Sequence, residues 1–299
     1  MEKKYELTDE TIEIYGRTLY RIKSLKDFND VKKGDLGGFI EKEDNLSHEG
    51  NCWIYNNACV YGNASVYDNA RVCCNTCVYN DVQIFGNAII SGGIICDDVK
   101  IYDNAQIRNS DFIGNHAHIY GDAIIDGNVD ILGHAKVYGR SYIRDRAHIY
   151  EDAIICDHAS IGGCAEISGN SSISGNAVIK GDAHIYDHAS ISGSVIVDME
   201  AHVHGHSIVF GSAIINNKMN ISANAFIGVE RDVCFVSSFG SRCGSTTFFK
   251  CKDDSIKLNC GCFLGTLDEF RDKVKETHGD NKYAKEYLLL ADLVELRLK

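Results

Sequence analysis

Lysine, histidine and tyrosine recur in this chain at a fixed interval. Lys100 and Tyr102 are followed 18 residues later by His118 and Tyr120, and then by Lys136 and Tyr138. Ser65/Tyr67 and Gln83/Phe85 precede them in the same series, with one interval shortened to 17 residues. If residues one period apart share a face, Tyr67, Phe85, Tyr102, Tyr120 and Tyr138 form an aromatic ladder beside a basic column. Cations next to aromatic rings suit a planar anionic ligand such as a nucleotide. The same ladder can instead stabilise stacked strands or bury against a second subunit. His116 and His134 occupy the adjoining corner. Arg140, Arg144, Arg146 and His158 make the densest basic cluster, suited to phosphate or to a solvated rim.

A second series carries His148/Tyr150, Glu166/Ser168, His184/Tyr186 and His202/His204, with His188 and His206 at a corner. Neutral imidazoles can ligate a metal, but they equally fill turn positions, and no metal or other cofactor is expected. A third series, Arg108, Asp126, Arg144, Gly162, Lys180 and Asp198, alternates in sign as a solvated surface does. The cysteines number 13. Cys59 and Cys77 fall one period apart, whereas Cys243, Cys251, Cys260 and Cys262 lack the spacing of a structural zinc site. An odd, scattered set reads as reduced packing thiols in a cytoplasmic protein.

These positions are carried by a six-residue repeat: ACVYGN at 58, ASVYDN at 64, AHIYGD at 117, AKVYGR at 135, AHIYED at 147 and AHIYDH at 183. From Ile101 to Ile227 every sixth residue is Ile or Val, at 22 of 22 positions. One register runs from Cys52 to Ile94, slips by one residue, and resumes from Val99 to Ala225. A period this uniform marks a solenoid. Alternation within each unit points the aliphatic and the small residue inward, with Gly, Asn and Asp where the chain bends. Proline is absent, as suits a backbone that donates nearly every N–H to a ladder.

Residues 1–51 read as an N-terminal β cap. Tyr5–Leu7, Thr11–Tyr15 and Leu19–Ile22 suggest a hairpin turning at Gly16, and GDLGGF at 34–39 leads into the first coil. Such a cap covers a sheet edge that would otherwise template aggregation. Residues 52–229 form the solenoid and 230–299 a C-terminal α+β cap. In the latter, Cys234–Phe239, Thr246–Lys250 and Ile256–Cys260 read as strands. TLDE at 266–269 is a capping box that opens a helix to about Thr277, closed by Gly279. A second helix spans about Lys282–Leu298.

An aliphatic residue followed four places later by a small one, as in Ile101–Ala105, Ile119–Ala123 and Val137–Ser141, resembles the hexapeptide-repeat, left-handed parallel β-helix superfamily. That resemblance implies coils of three hexads, about ten of them, and a homo-oligomer, by analogy a trimer. The arrangement of KGDLGGFIE, the hexads, CGCFLGTLDEF and HGDNKYAKEY is similar to the "polymer-forming" hexapeptide-repeat proteins of phages and prophages.

A net charge of −12 argues against a nucleic-acid polymer or an anionic membrane as partner. No apolar run is long enough to span a bilayer, and the charged start is not a signal peptide. The expected partners are therefore other copies of the chain and a small nucleotide-like ligand. The expected function is non-enzymatic capture of that ligand at inter-subunit clefts lined by Lys100, Tyr102, His116, His118, Tyr120, His134, Lys136, Tyr138, Arg140 and Arg144, as in a phage protein that soaks up a defence signal. The alternatives are a virion scaffold or adhesin, an acyltransferase as the superfamily implies, and a zinc enzyme of the γ-carbonic-anhydrase type. The hexads from Val99 run without the extruded loop that an acceptor site needs, which weighs against catalysis.

Overall fold

A computed structural model describes residues 2–299. The chain divides into two compact units, one ending at Gly163 and the other running from Cys164 to Lys299. Left-handed parallel β-helix coils, about 10 in all, run through both.

In the first unit, Tyr5–Ile14 and Arg17–Ser24 form an antiparallel hairpin. Tyr15 and Gly16 turn it with φ of 49° and 74°, the pair of positive angles that matches strand twist in a two-residue loop. Leu36–Ile40 pairs antiparallel with the second strand and parallel with Cys59–Val60, in register Phe39↔Cys59. The hairpin thus continues a solenoid sheet and occupies its edge.

Each face of a coil is a strand of two to four residues. Lys100–Ile101 pairs in parallel with His118–Ile119, and that with Lys136–Val137. The N–H of one coil donates to the carbonyl of the next: Lys100 to Ala117 at 3.0 Å and His118 to Ala135 at 2.9 Å. Period six alternates Ile101, Ile119 and Val137 inward at 0% exposure while Lys100, His118 and Lys136 face outward. The small residues Ala105, Ala117 and Ala135 close the corners, also at 0%. Side chains satisfy the amides at the turns. Asp103 Oδ accepts from the Gly121 N–H at 3.1 Å, and Asn69, Asn87 and Asn104 hand an amide hydrogen bond from coil to coil at 2.9–3.1 Å. Gly121 adopts φ 69°, and a Cβ there would sit 2.9 Å from the Gly139 nitrogen.

The register slip lies earlier than the sequence suggested. Ile89 pairs with Arg71, 18 residues back, but Ile94 pairs with Cys77, 17 back. The lost residue falls in the turn at Ser91–Gly93, where Gly92 and Gly93 both take φ 96°. Ile94, read above as the end of the first register, is accordingly an outward strand residue, 43% exposed.

In the second unit, the last coils are followed by a four-stranded antiparallel sheet of Val233–Phe239, Gly244–Lys250, Ile256–Cys260 and Phe263–Thr266. The fourth strand was not anticipated; it has four residues and runs straight into a helix. Helix α1 spans Leu267–His278, and its capping box is present: the Thr266 hydroxyl accepts from Glu269 N–H at 3.3 Å, and Glu269 accepts from Thr266 N–H at 2.8 Å. Helix α2, Lys282–Leu298, starts on Asn281, whose side chain accepts from Tyr283 and Ala284 N–H at 2.8 and 3.0 Å. Phe248, Leu258, Phe270, Ala291 and Val294 form the core between sheet and helices. Asn259 ties the sheet to the last coils by donating to the Asn220 carbonyl at 2.8 Å and the Ser222 hydroxyl at 2.9 Å. Among the described residues, no helix is long and apolar enough to cross a membrane.

Candidate functional site

The strands Lys100–Ile101, His118–Ile119 and Lys136–Val137 put Lys100, His118 and Lys136 in one column, with the tyrosines two residues on in a second. The ladder is present. Tyr67–Phe85, Phe85–Tyr102 and Tyr102–Tyr120 stack at 4.9 Å between centroids and Tyr120–Tyr138 at 4.8 Å, with planes parallel to within 4°. Each ring face inside the ladder is therefore covered by the next ring, which leaves only the outer faces of Tyr67 and Tyr138. A planar ligand meets this ladder at its edges and hydroxyls rather than between rings. The far side of Tyr138 meets Cys156, whose hydrogen bond to the phenol, together with burial, pushes its pKa up to about 12.

The basic column is not neutralised. Among the described residues, neither Lys100 nor Lys136 makes an ion pair. His118 registers the resulting field: burial, then Lys100, then Lys136 hold its pKa below the ordinary histidine value. The imidazole is thus neutral near pH 7, available as a hydrogen-bond donor between two free ammonium groups.

The other expected site residues behave differently. His116 stacks on His134 at 4.8 Å, but its Nδ1 lies 3.3 Å from Asp98. Arg140 lies 3.8 Å from Asp122. Arg144 belongs to a different sheet, 3.9 Å from Asp145 and over the Tyr142 ring at 5.9 Å. The structure thus brings together Lys100, His118, Lys136 and the three tyrosines beside them, and pairs His116, Arg140 and Arg144 with acids.

A second constellation lies in the other unit. Glu166, His184 and His202 occupy successive coils of one sheet. Glu166 Oε lies 3.0 Å from His184 Nδ1, and the His184 ring stacks on His202 at 4.8 Å. A carboxylate at Nδ1 leaves Nε2 of the neutral ring as acceptor, the arrangement of an oriented general base. His148 is held likewise by Asp130 at 3.0 Å. The sequence places His148, Glu166 and His184 in one series but does not mark Glu166 and His184 as a pair, and Asp130 goes unmarked. The signal was there: Asp98/His116, Asp122/Arg140, Asp130/His148, Glu166/His184 and Glu200/Lys218 all place an acid one coil before the base. Among the described residues, no group of three or more His, Cys, Asp or Glu converges as a metal site. All thirteen cysteines are free, and Cys59 and Cys77 sit side by side on neighbouring coils.

A further concavity, of about 570 Å3, opens in the second unit where the coils meet the C-terminal sheet and α1. Its lining comes from stretches far apart in the chain, and no periodic signal marks it.

No protein-family model matches the chain. A curated relative, the uncharacterized acetyltransferase YdcK of Escherichia coli (strain K12), is 53% identical over 38 residues, a match that takes in 13% of this chain and 12% of that protein.

Proposed function

We propose that this protein binds a small phosphate-bearing anion on the column Lys100, His118 and Lys136 without converting it. The carrying observation is the pair of lysines two coils apart with no acid partner, in a chain whose other basic columns are mostly matched with acids. Coils repeat at about 4.8 Å, so the ammonium groups stand roughly 10 Å apart, a span that a diphosphate and its sugar can bridge. The hydroxyls of Tyr102, Tyr120 and Tyr138 line one side of that path. In an oligomer a neighbouring subunit would cover the strip, lower its dielectric and strengthen each contact. Capture by mass action needs no turnover, and a phage scavenger of nucleotide signals would work this way. Calorimetric titration with ADP tests it. Wild type should bind and return the nucleotide unchanged, and Lys100→Gln/Lys136→Gln should weaken binding by about tenfold or more. Absence of binding at millimolar ADP, or its conversion, sinks the reading.

A second reading is acyl transfer with Glu166-oriented His184 as base. Two observations favour it: the 3.0 Å dyad, and the short stretch similar to a protein whose name describes an acetyltransferase. It predicts acetyl-CoA binding and thiol release that His184→Ala abolishes.

A further inference from the structure

The cavity in the C-terminal unit has a divided lining. Its floor is aromatic: Phe270 and Tyr287 meet edge to face at 5.7 Å, Phe239 packs on Tyr287 at 5.4 Å, and Phe263 lies against Phe270 at 5.9 Å. Its walls are polar and predominantly basic. From the coils come His202 and Lys218, the latter paired with Glu200 at 3.1 Å. From α1 come Lys273 and Thr277, four residues apart on one face of the helix, and His278 at its last position. From the turn between the first two strands of the sheet comes Arg242, which makes no ion pair among the described residues. Lys218 pairs with Glu200, and Lys273 with the exposed Glu276 at 2.9 Å, so among the described residues Arg242 is the lining cation without an acid partner, in a chain of net charge −12. Burial and the neighbouring His184 and His204 keep the His202 pKa low, so this imidazole is a neutral hydrogen-bonding group in the wall. The volume of about 570 Å3 lies in the range of small-molecule pockets and is too small for a folded partner.

We propose that this cavity is a second ligand site, for a small organic anion with an aromatic or acyl body and a single carboxylate, sulfonate or phosphate head. The apolar body would lie on Phe270, Tyr287 and Phe239, and the head would reach Arg242 and Lys273 at the mouth. This site is independent of the Lys100–Lys136 column and stands or falls separately from it.

The test uses the full chain and two probes of the same shape, the aromatic sulfonate 1-anilinonaphthalene-8-sulfonate and its uncharged counterpart N-phenyl-1-naphthylamine, followed by fluorescence. The sulfonate should bind saturably at one per chain. Arg242→Gln/Lys273→Gln should weaken it about tenfold while leaving the uncharged probe unaffected. Thr277 is exposed on α1 at the rim, so Thr277→Trp should fill the cavity without disturbing the core and remove both signals. Lys100→Gln/Lys136→Gln should change neither. Retained sulfonate binding in Thr277→Trp would move the probe to the exposed Leu289, Leu293 and Leu296 on α2 and overturn the proposal. So would equal affinity for the sulfonate in the double variant, or no saturable binding by wild type. Unchanged thermal unfolding of each variant excludes misfolding as the cause of a loss.

Discussion

Lys100–His118–Lys136 and Glu166–His184–His202 occupy the same place in the hexad, each residue immediately before an inward Ile or Val. Their backbones pair alike, in parallel and in register. Their chemistry is opposite. One column accumulates positive charge with no acid in it; the other alternates an acid with a histidine and orients the ring. The difference teaches that the inward positions of a solenoid say almost nothing about function, because they are identical where function differs. What discriminates is whether an acid lies one coil away in the outward column.

The largest effect expected is one that ignores this distinction. Ile119→Ala and Ile185→Ala each delete a fully buried side chain in equivalent slots, and each should cost about 2–5 kcal/mol. Chemical denaturation of the two variants compares the coils directly. A large loss in one and none in the other would show that the columns sit on unequal scaffolds, and the comparison would fail at its base.

Next in size is the ladder. Tyr120 stacks on Tyr102 and Tyr138, so Tyr120→Ala removes two contacts, about 1–3 kcal/mol beyond the area lost. His202→Ala removes the stack with His184 and an edge contact with Tyr186, and should cost less. Denaturation midpoints rank the pair. A reversed order would mean that the tyrosines serve something other than the single chain, such as a subunit interface.

The acid rule itself can be imposed. Gln83 is the register partner of Lys100 on the preceding coil. Gln83→Glu therefore supplies the acid that the open column lacks, and should weaken ADP binding severalfold at low salt, with the loss shrinking as salt is added. Unchanged affinity would separate the column from the ligand.

Much of this could be read from the chain. The solenoid was legible because Ile101 through Ile227 repeat one local instruction, and the ladder and stacked histidine corners follow from an 18-residue coil. The capping box at Thr266 and Glu269 was legible because a cap is local. The site at Ser91–Gly93 was misjudged because removing one residue from a turn looks, in sequence, like a slip anywhere nearby. Lys100 and Arg144 looked equally basic in sequence, and only the positions of Asp145 and its neighbours separate them. The cavity was invisible, since Arg242, Lys273 and His202 converge through the docking of the C-terminal sheet, with no period linking them.

The smallest effect is also the most direct reading of the open column. The pKa of His118 is lowered by burial first and by Lys100 and Lys136 next. The folded protein therefore holds that proton more weakly than the unfolded chain. Its contribution to stability is fully present above the unfolded value near 6.5 and is lost as pH falls toward the folded value. Lys100→Glu exchanges a repulsion for an attraction, so the His118 pKa should rise and the acid-side loss should shrink. His202, whose pKa is lowered by burial, His184 and His204 and raised by Glu200, shares none of these neighbours and serves as the internal control. Proton NMR titration of both imidazoles reads the two columns in one sample. Movement of His118 with His202 stationary would confirm that each column carries its own local field. A stationary His118 would mean that burial alone sets its proton affinity, and the basic strip would lose its electrostatic support.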